Sequence, residues 1–201
     1  MPFISNGTTI LDNGAFSVSL GSQVLLSTST ASASSSISFT SGIDSTYPIY
    51  KFEYINCQPA DGTEEYLSFQ GSTNGGSSYG VTTTSTALQN YSAESGTLQR
   101  YTYRTDYDLA QSTSYQPMVY VMDNESIVSV SGNLYLFNPS STTYVKHYMI
   151  ENASEGYTNY SIRFQVAGYF NTTSAINAID FKMSSGNIAS GQIKLYGIKD
   201  S

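Results

Sequence analysis

Y-S-I-R-F-Q-V-A-G-Y-F (160–170), A-I-N-A-I-D-F-K-M (175–183) and Q-I-K-L-Y-G-I-K-D-S (192–201) carry the reading that decides the fold. In the first run Ile162, Phe164, Val166 and Gly168 fall on one face, with Ser161, Arg163, Gln165 and Ala167 on the other. In the second, Ile179, Phe181 and Met183 alternate with Asp180 and Lys182; in the third, Ile193 and Leu195 alternate with Gln192, Lys194 and Tyr196. Period-two alternation belongs to strands with one face buried and the other wet. The connections N-T-T-S (171–174) and S-S-G-N-I-A-S-G (184–191) are short and polar, so these strands are expected to be antiparallel neighbours. Three such strands cannot bury their apolar faces alone, which requires a second sheet from the rest of the chain.

Composition agrees. The 201 residues suit one sizeable domain, and only 11% of them are charged, while 18 are Tyr, 16 are Gly and none is Trp. Ser, Thr, Tyr and β-branched residues in this proportion favour strands and turns, and no long stretch repeats apolar residues at helical spacing. The class expected is all-β, an antiparallel β-sandwich of roughly ten short strands. A net charge of −7, with the basic residues scattered, argues against binding nucleic acid or an anionic membrane by the bulk surface. No stretch is long and apolar enough for membrane insertion. The opening residues lack a cationic, apolar leader, and a single cysteine permits no disulfide within the chain, so synthesis in a cytoplasm is expected.

Outward from the tail, other segments follow. Residues 1–24 are punctuated by Asn6-Gly7 and Asn13-Gly14, with Phe16, Val18 and Leu20 alternating between serines. They read as an N-terminal arm or first strand, ahead of a single domain at 25–201. Val24–Leu26 and Ile37–Phe39 flank a Ser/Ala run and predict a hairpin or an outer strand. I-Y-K-F-E-Y-I-N-C (49–57) places Tyr50, Phe52, Tyr54 and Asn56 on one face, and Ile49, Lys51, Glu53, Ile55 and Cys57 on the other. Residues 81–96 are polar and read as mostly loop, while Met118–Met122, Asn133–Phe137 and Thr143–Ile150 read as strands.

Reactive constellations are sparse. His147 stands in a strand pattern with no nucleophile elbow and no H-E-x-x-H, and Cys57 reads as a small buried hydrophobe. Asp106-Tyr107-Asp108 offers two carboxylates to a calcium ion, but the full acidic loop is missing, and turn-forming acids are the ordinary reading. No pair of acids is set for glycoside hydrolysis. Neither a catalytic residue, a metal site nor a cofactor is therefore expected. Tyr101, Tyr103, Arg104, Asp106 and Tyr107 form the densest mixture of aromatic faces and charged hydrogen-bonders. Such mixtures serve ligand or subunit contacts, although tyrosine is also simply common in strands.

The stretches I-S-F-T-S-G-I-D-S-T-Y-P-I-Y-K-F (37–52), S-T-N-G-G-S-S-Y (72–79), D-L-A-Q-S-T-S-Y (108–115), L-F-N-P-S-S-T-T-Y-V-K-H-Y (136–148) and the run 167–198 together resemble a family of fibre-like virion structural proteins. Its members occur in phages of aquatic bacteria, cyanophage- and pelagiphage-like. The resemblance covers most of the chain from about Val24 onward, and the opening I-S-N-G-T-T-I-L-D-N-G-A-F (4–16) also fits. It implies a jelly-roll-like sandwich and a non-enzymatic role as tail fibre, head fibre or capsid decoration. The expected location is the virion, assembled in the host cytoplasm. Partners would be the chain itself, as a homotrimer, and other virion proteins, with a host surface glycan as a further one. Phe3, Ile4, Ile10 and Leu11 are the apolar residues expected to anchor the arm. The alternative is a carbohydrate-binding module for receptor recognition.

Overall fold

The backbone alternates between two stacked antiparallel sheets, and the computed structural model describes every residue except 1–2, 6–7, 13–14, 17–22, 61, 124–126, 157–159 and 200–201. Within 3–16 only the backbone is described. The larger sheet has eight strands in the order β10 (Gln99–Tyr103), β9 (Thr83–Ala93), β15 (Tyr160–Phe170), β14 (Lys146–Gly156), β13 (Val130–Phe137), β6 (Ile49–Pro59), β17 (Ile188–Ile198) and β4 (Gln23–Thr30). The smaller has four, in the order β11 (Gln116–Pro117), β8 (Leu67–Ser72), β16 (Ala178–Met183) and β5 (Ile37–Phe39). β12 (Met122–Asp123) pairs with β7 (Thr63–Glu65), and β1 (Phe3–Ser5), β2 (Thr8–Asp12) and β3 (Ala15–Phe16) form a three-stranded sheet of their own. The chain is an all-β antiparallel sandwich.

The tail strands form where expected but are not neighbours. β15 pairs with β14 and β9, β17 pairs with β6 and β4, and β16 lies in the opposite sheet between β8 and β5. The connections cross the core instead of turning within one sheet. Both arrangements point the same alternate residues at the interlayer space, so alternation does not distinguish them.

Other expectations change too. Of the two readings for the segment around the Ser/Ala run, the outer strand holds and the hairpin does not: β4 and β5 are edge strands of different sheets. Residues 83–93 are an eleven-residue strand, not a loop. Its buried positions Thr83, Ser85, Ala87 and Gln89 are small or polar, which hides the alternation. Met118–Val121 lie outside the strands and are held from Met118, whose N–H donates to the Leu67 carbonyl at 2.8 Å. The described residues contain seventeen strands, more than the expected number, because several are only two or three residues long. Phe16 lies in β3, and Val18 and Leu20 fall outside the described residues.

The core is aromatic. Phe39, Phe52 and Phe181 meet edge-on or tilted with ring centroids 5.3–6.1 Å apart, and Phe69 packs against Tyr148 and Phe170 at 5.0 and 5.9 Å. Such pairings are favoured by the ring quadrupoles as well as by the area removed from water. The smaller sheet is covered on its far side as well. Tyr115 donates its hydroxyl to Asp180 Oδ2 at 2.9 Å, Gln70 donates to the Thr113 and Ser114 carbonyls, and Lys182 Nζ sits 4.0 Å from the Tyr115 ring centre. Asp180, expected on a wet face, is accordingly buried.

Candidate interaction surfaces

Among the described residues nothing covers the second face of the larger sheet, and register shows what that face presents. Thr86 stands opposite Ala167, Ala167 opposite Met149, and Met149 opposite Tyr135. The row continues from Tyr135 to Lys51, from Lys51 to Tyr196 and from Tyr196 to Leu25. Directly opposed residues share a face and pack side by side. A second row sets Phe137 opposite Ile49 and Ile49 opposite Ile198. Between these strands lies a groove of about 520 Å³ lined by Ile49, Leu88, Tyr135, Phe137, Met149 and Ile198. Met149 is 55% exposed and Leu25 54%, so large apolar groups stand in water where an antiparallel sheet ordinarily carries polar ones.

Toward the other ends of the strands the same face turns polar. Gln165, Glu151 and Asn133 lie in successive register, and Arg163 pairs with Glu151. Glu53 holds Lys51 at 3.4 Å and accepts the Tyr196 hydroxyl at 3.1 Å, while Lys51 Nζ lies 4.6 Å from the Tyr196 ring centre. The charges on this face are mostly spent on one another, leaving the apolar rows as its distinguishing feature.

The Tyr/Arg/Asp group divides. Tyr101 and Tyr103, on the edge strand β10, are 65% and 46% exposed. Tyr107 is only 7% exposed and belongs to the core, packed on Tyr66, Tyr120 and Phe164 with centroids 5.4–5.6 Å away. Burial pushes its hydroxyl well above the usual tyrosine range. It is a packing residue, since β10 ends at Tyr103 and the following turn brings Tyr107 inward. Arg104 donates to both oxygens of Asp106 and to Gln89, and its guanidinium lies 4.5 Å from the Tyr120 ring centre. Asp108 accepts the Tyr103 hydroxyl at 2.6 Å, so Asp106 and Asp108 serve separate partners. Among the described residues no three His, Cys, Asp or Glu side chains gather as metal ligands.

On the inner side the two sheets differ in width. The smaller sheet stacks over β6, β14 and β15, and the inward side chains of β10 are left beside a cleft of about 290 Å³. Arg100, Thr102 and Arg104 line it with Tyr91, Tyr120 and Tyr160. Sequence reasoning singled out Arg104 and its neighbours but not Tyr91 and Tyr160, which the register of β9, β10 and β15 sets beside the cleft, nor Tyr120, which reaches it from outside the strands, nor Met149, which β14 carries to the opposite face. His147 is exposed on β14 and Cys57 is buried, so they form no pair. Phe3, Ile4, Ile10 and Leu11 lie in β1 and β2, with Phe3 opposite Leu11 in register.

Comparison with known proteins finds no matching family model, no matching curated protein and no matching solved structure.

Proposed function

We propose that the chain is a non-enzymatic structural protein of a bacteriophage virion, a tail fibre, head fibre or capsid decoration, that assembles on itself through the outward face of its larger sheet. The observation that carries this reading is the apolar half of that face, where Met149 is exposed and Tyr135, Phe137, Ile49 and Ile198 are half-buried around one groove. Whatever covers it must itself offer a surface with few free charges. A second copy satisfies that condition with its own sheet, whose charges are paired internally. Association would remove apolar surface from water at roughly 25 cal/mol per Å² before the costs of binding are subtracted. A closed trimer is the assembly we favour, with the sandwich jelly-roll-like and residues 1–24, including Phe3, Ile4, Ile10 and Leu11, docking on the particle or on neighbouring subunits.

The test is the solution mass of the purified chain by light scattering. A mass three times that of the monomer, stable on dilution and reduced to the monomer in Met149→Lys, is the expected result. A monomer at every concentration would overturn self-assembly. The second reading, a carbohydrate-binding receptor-recognition module, draws on a different place, the cleft beneath β10.

A further inference from the structure

Arg100 has no ion-pair partner among the described residues, in a chain whose other arginines are both tied: Arg104 to Asp106 and Arg163 to Glu151. It stands opposite Tyr91 in the β10–β9 register, on the inner side of the sheet and at the margin the smaller sheet leaves uncovered. Tyr91 meets Tyr160 edge-on at 5.2 Å between ring centres, and Tyr120 stacks on the Arg104 guanidinium across the cleft. Glu64 lines the same space.

These groups divide a ligand's chemistry among them. An unpaired guanidinium presents a planar fork of donors that matches one carboxylate. Tyrosine rings give flat apolar faces with polar tips, suited to the C–H face of a pyranose. A carboxylate such as Glu64 accepts hydrogen bonds from hydroxyls but repels a second anion. With the chain at net charge −7, a polyanion such as nucleic acid is repelled at long range, whereas one short-range carboxylate contact is not. A volume near 290 Å³ lies at the lower end for small-ligand sites, room for a single sugar unit and not for an extended segment.

We propose that this cleft binds one acidic sugar, a hexuronate or similar carboxylated unit of a surface polysaccharide. Arg100 holds the carboxylate, Tyr91, Tyr120 and Tyr160 wall the ring, and Glu64 receives hydroxyls. Arg104 is already committed to Asp106 and acts as a positioning residue, holding Tyr120 at the wall. This deepens the second reading above without depending on self-assembly.

The experiment is isothermal calorimetry of the full chain with oligogalacturonate, and with neutral galacto-oligosaccharide of the same length as the comparison. Saturable binding of the acidic form alone is expected, weakened at least about tenfold in Arg100→Gln because one charge-assisted pair is lost. Arg100 is exposed on an edge strand, so Arg100→Gln should keep the native circular dichroism and native oligomeric mass. Equal binding of the neutral sugar would overturn the carboxylate assignment. Unchanged affinity in Arg100→Gln would overturn the site. Failure of galacturonate, glucuronate and N-acetylneuraminate oligomers alike would overturn the proposal. Light scattering on the same samples reads self-assembly separately, so the failure of one reading is not mistaken for that of the other.

Discussion

At Asn56 one extra residue enters β6, and every side chain beyond it changes face. Val130 stands opposite Cys57 and Gly132 opposite Tyr54, so Ile55 and Asn56 share the single position of Ser131. Asn56 takes φ 50°, a left-handed conformation that asparagine tolerates, and its N–H donates to Ser131 Oγ at 2.9 Å. Simple alternation places Asn56 inward and Cys57 outward; the bulge exposes Asn56 and buries Cys57. A bulge has no periodic signature, so the strand was legible in the sequence and its change of phase was not. Burial pushes the Cys57 thiol up to about 12. Alkylation by iodoacetamide at pH 8 should therefore be at least about a hundredfold slower in the folded protein than in urea, since the thiolate is the reacting form. Labelling at the unfolded rate would show that the strand end opens. Across the bulge Gly191 has φ 116°, and a methyl group there would meet the Cys57 Cα at 2.6 Å and the Asn56 oxygen at 2.7 Å. Gly191→Ala should cost about 2–3 kcal/mol in urea unfolding, from forced backbone strain at a position with no room to relax.

Among elements, β9 separates what sequence patterning reveals from what it hides. Its inward side is built from Thr83, Ser85, Ala87 and Gln89, and a polar seam takes the place of apolar packing. Gln116 is the hub: its Oε1 accepts from Ser85 at 2.5 Å and Tyr148 at 3.2 Å, and its Nε2 donates to the Tyr107 and Pro117 carbonyls. The long-range partners, not the local residues, make this segment a strand, and no window of sequence contains them. By contrast β15 and β17 were legible because large apolar residues fill their inward positions. Gln116→Leu should cost about 3 kcal/mol, since it leaves buried hydroxyl and carbonyl groups with fewer partners; a loss under about 0.5 kcal/mol would show that the seam repairs itself. The turn after β10 gives a pH signature. The hydrogen bond from Arg104 holds the Asp106 carboxyl below its usual 3.8. A carboxyl lowered on folding adds stability above its unfolded value and loses it as pH falls through the folded one. Wild type should thus exceed Asp106→Asn in stability at pH 7, and the two should converge below pH 3.8, measured by thermal melts. A constant difference down to acid pH would assign the effect to packing.

For the whole molecule, the unequal widths of the sheets matter more than any one side chain. Eight strands against four leave inner surface beside β10 and an entire outer face on the larger sheet. The first makes a polar, aromatic cleft and the second carries the apolar rows at one end and paired charges at the other, so recognition and assembly are proposed for opposite sides of one sheet. The apolar rows were not legible in the sequence, because they cross strands apart in the chain, as Met149 opposite Tyr135; the cleft was legible only through Arg104 and its neighbours, because register and not local pattern sets Tyr91 opposite Arg100. The strands β1 to β3 pair among themselves, and β4 begins at Gln23, so deletion of residues 1–20 should leave a soluble, cooperatively melting sandwich that, on the proposed virion role, no longer enters particles. A product without cooperative melting would make that segment part of the fold. Assembly through the outer face carries a thermodynamic signature of its own. Burial of apolar surface weakens on cooling and strengthens in sulfate, whereas contacts between exposed charges are screened by salt. The proposed trimer should therefore dissociate more readily near 5 °C than at 25 °C and tighten in sulfate, a shift of several-fold in the midpoint of dilution curves. Loosening in salt would point instead to charged contacts, and the apolar rows of the larger sheet would lose their role in assembly.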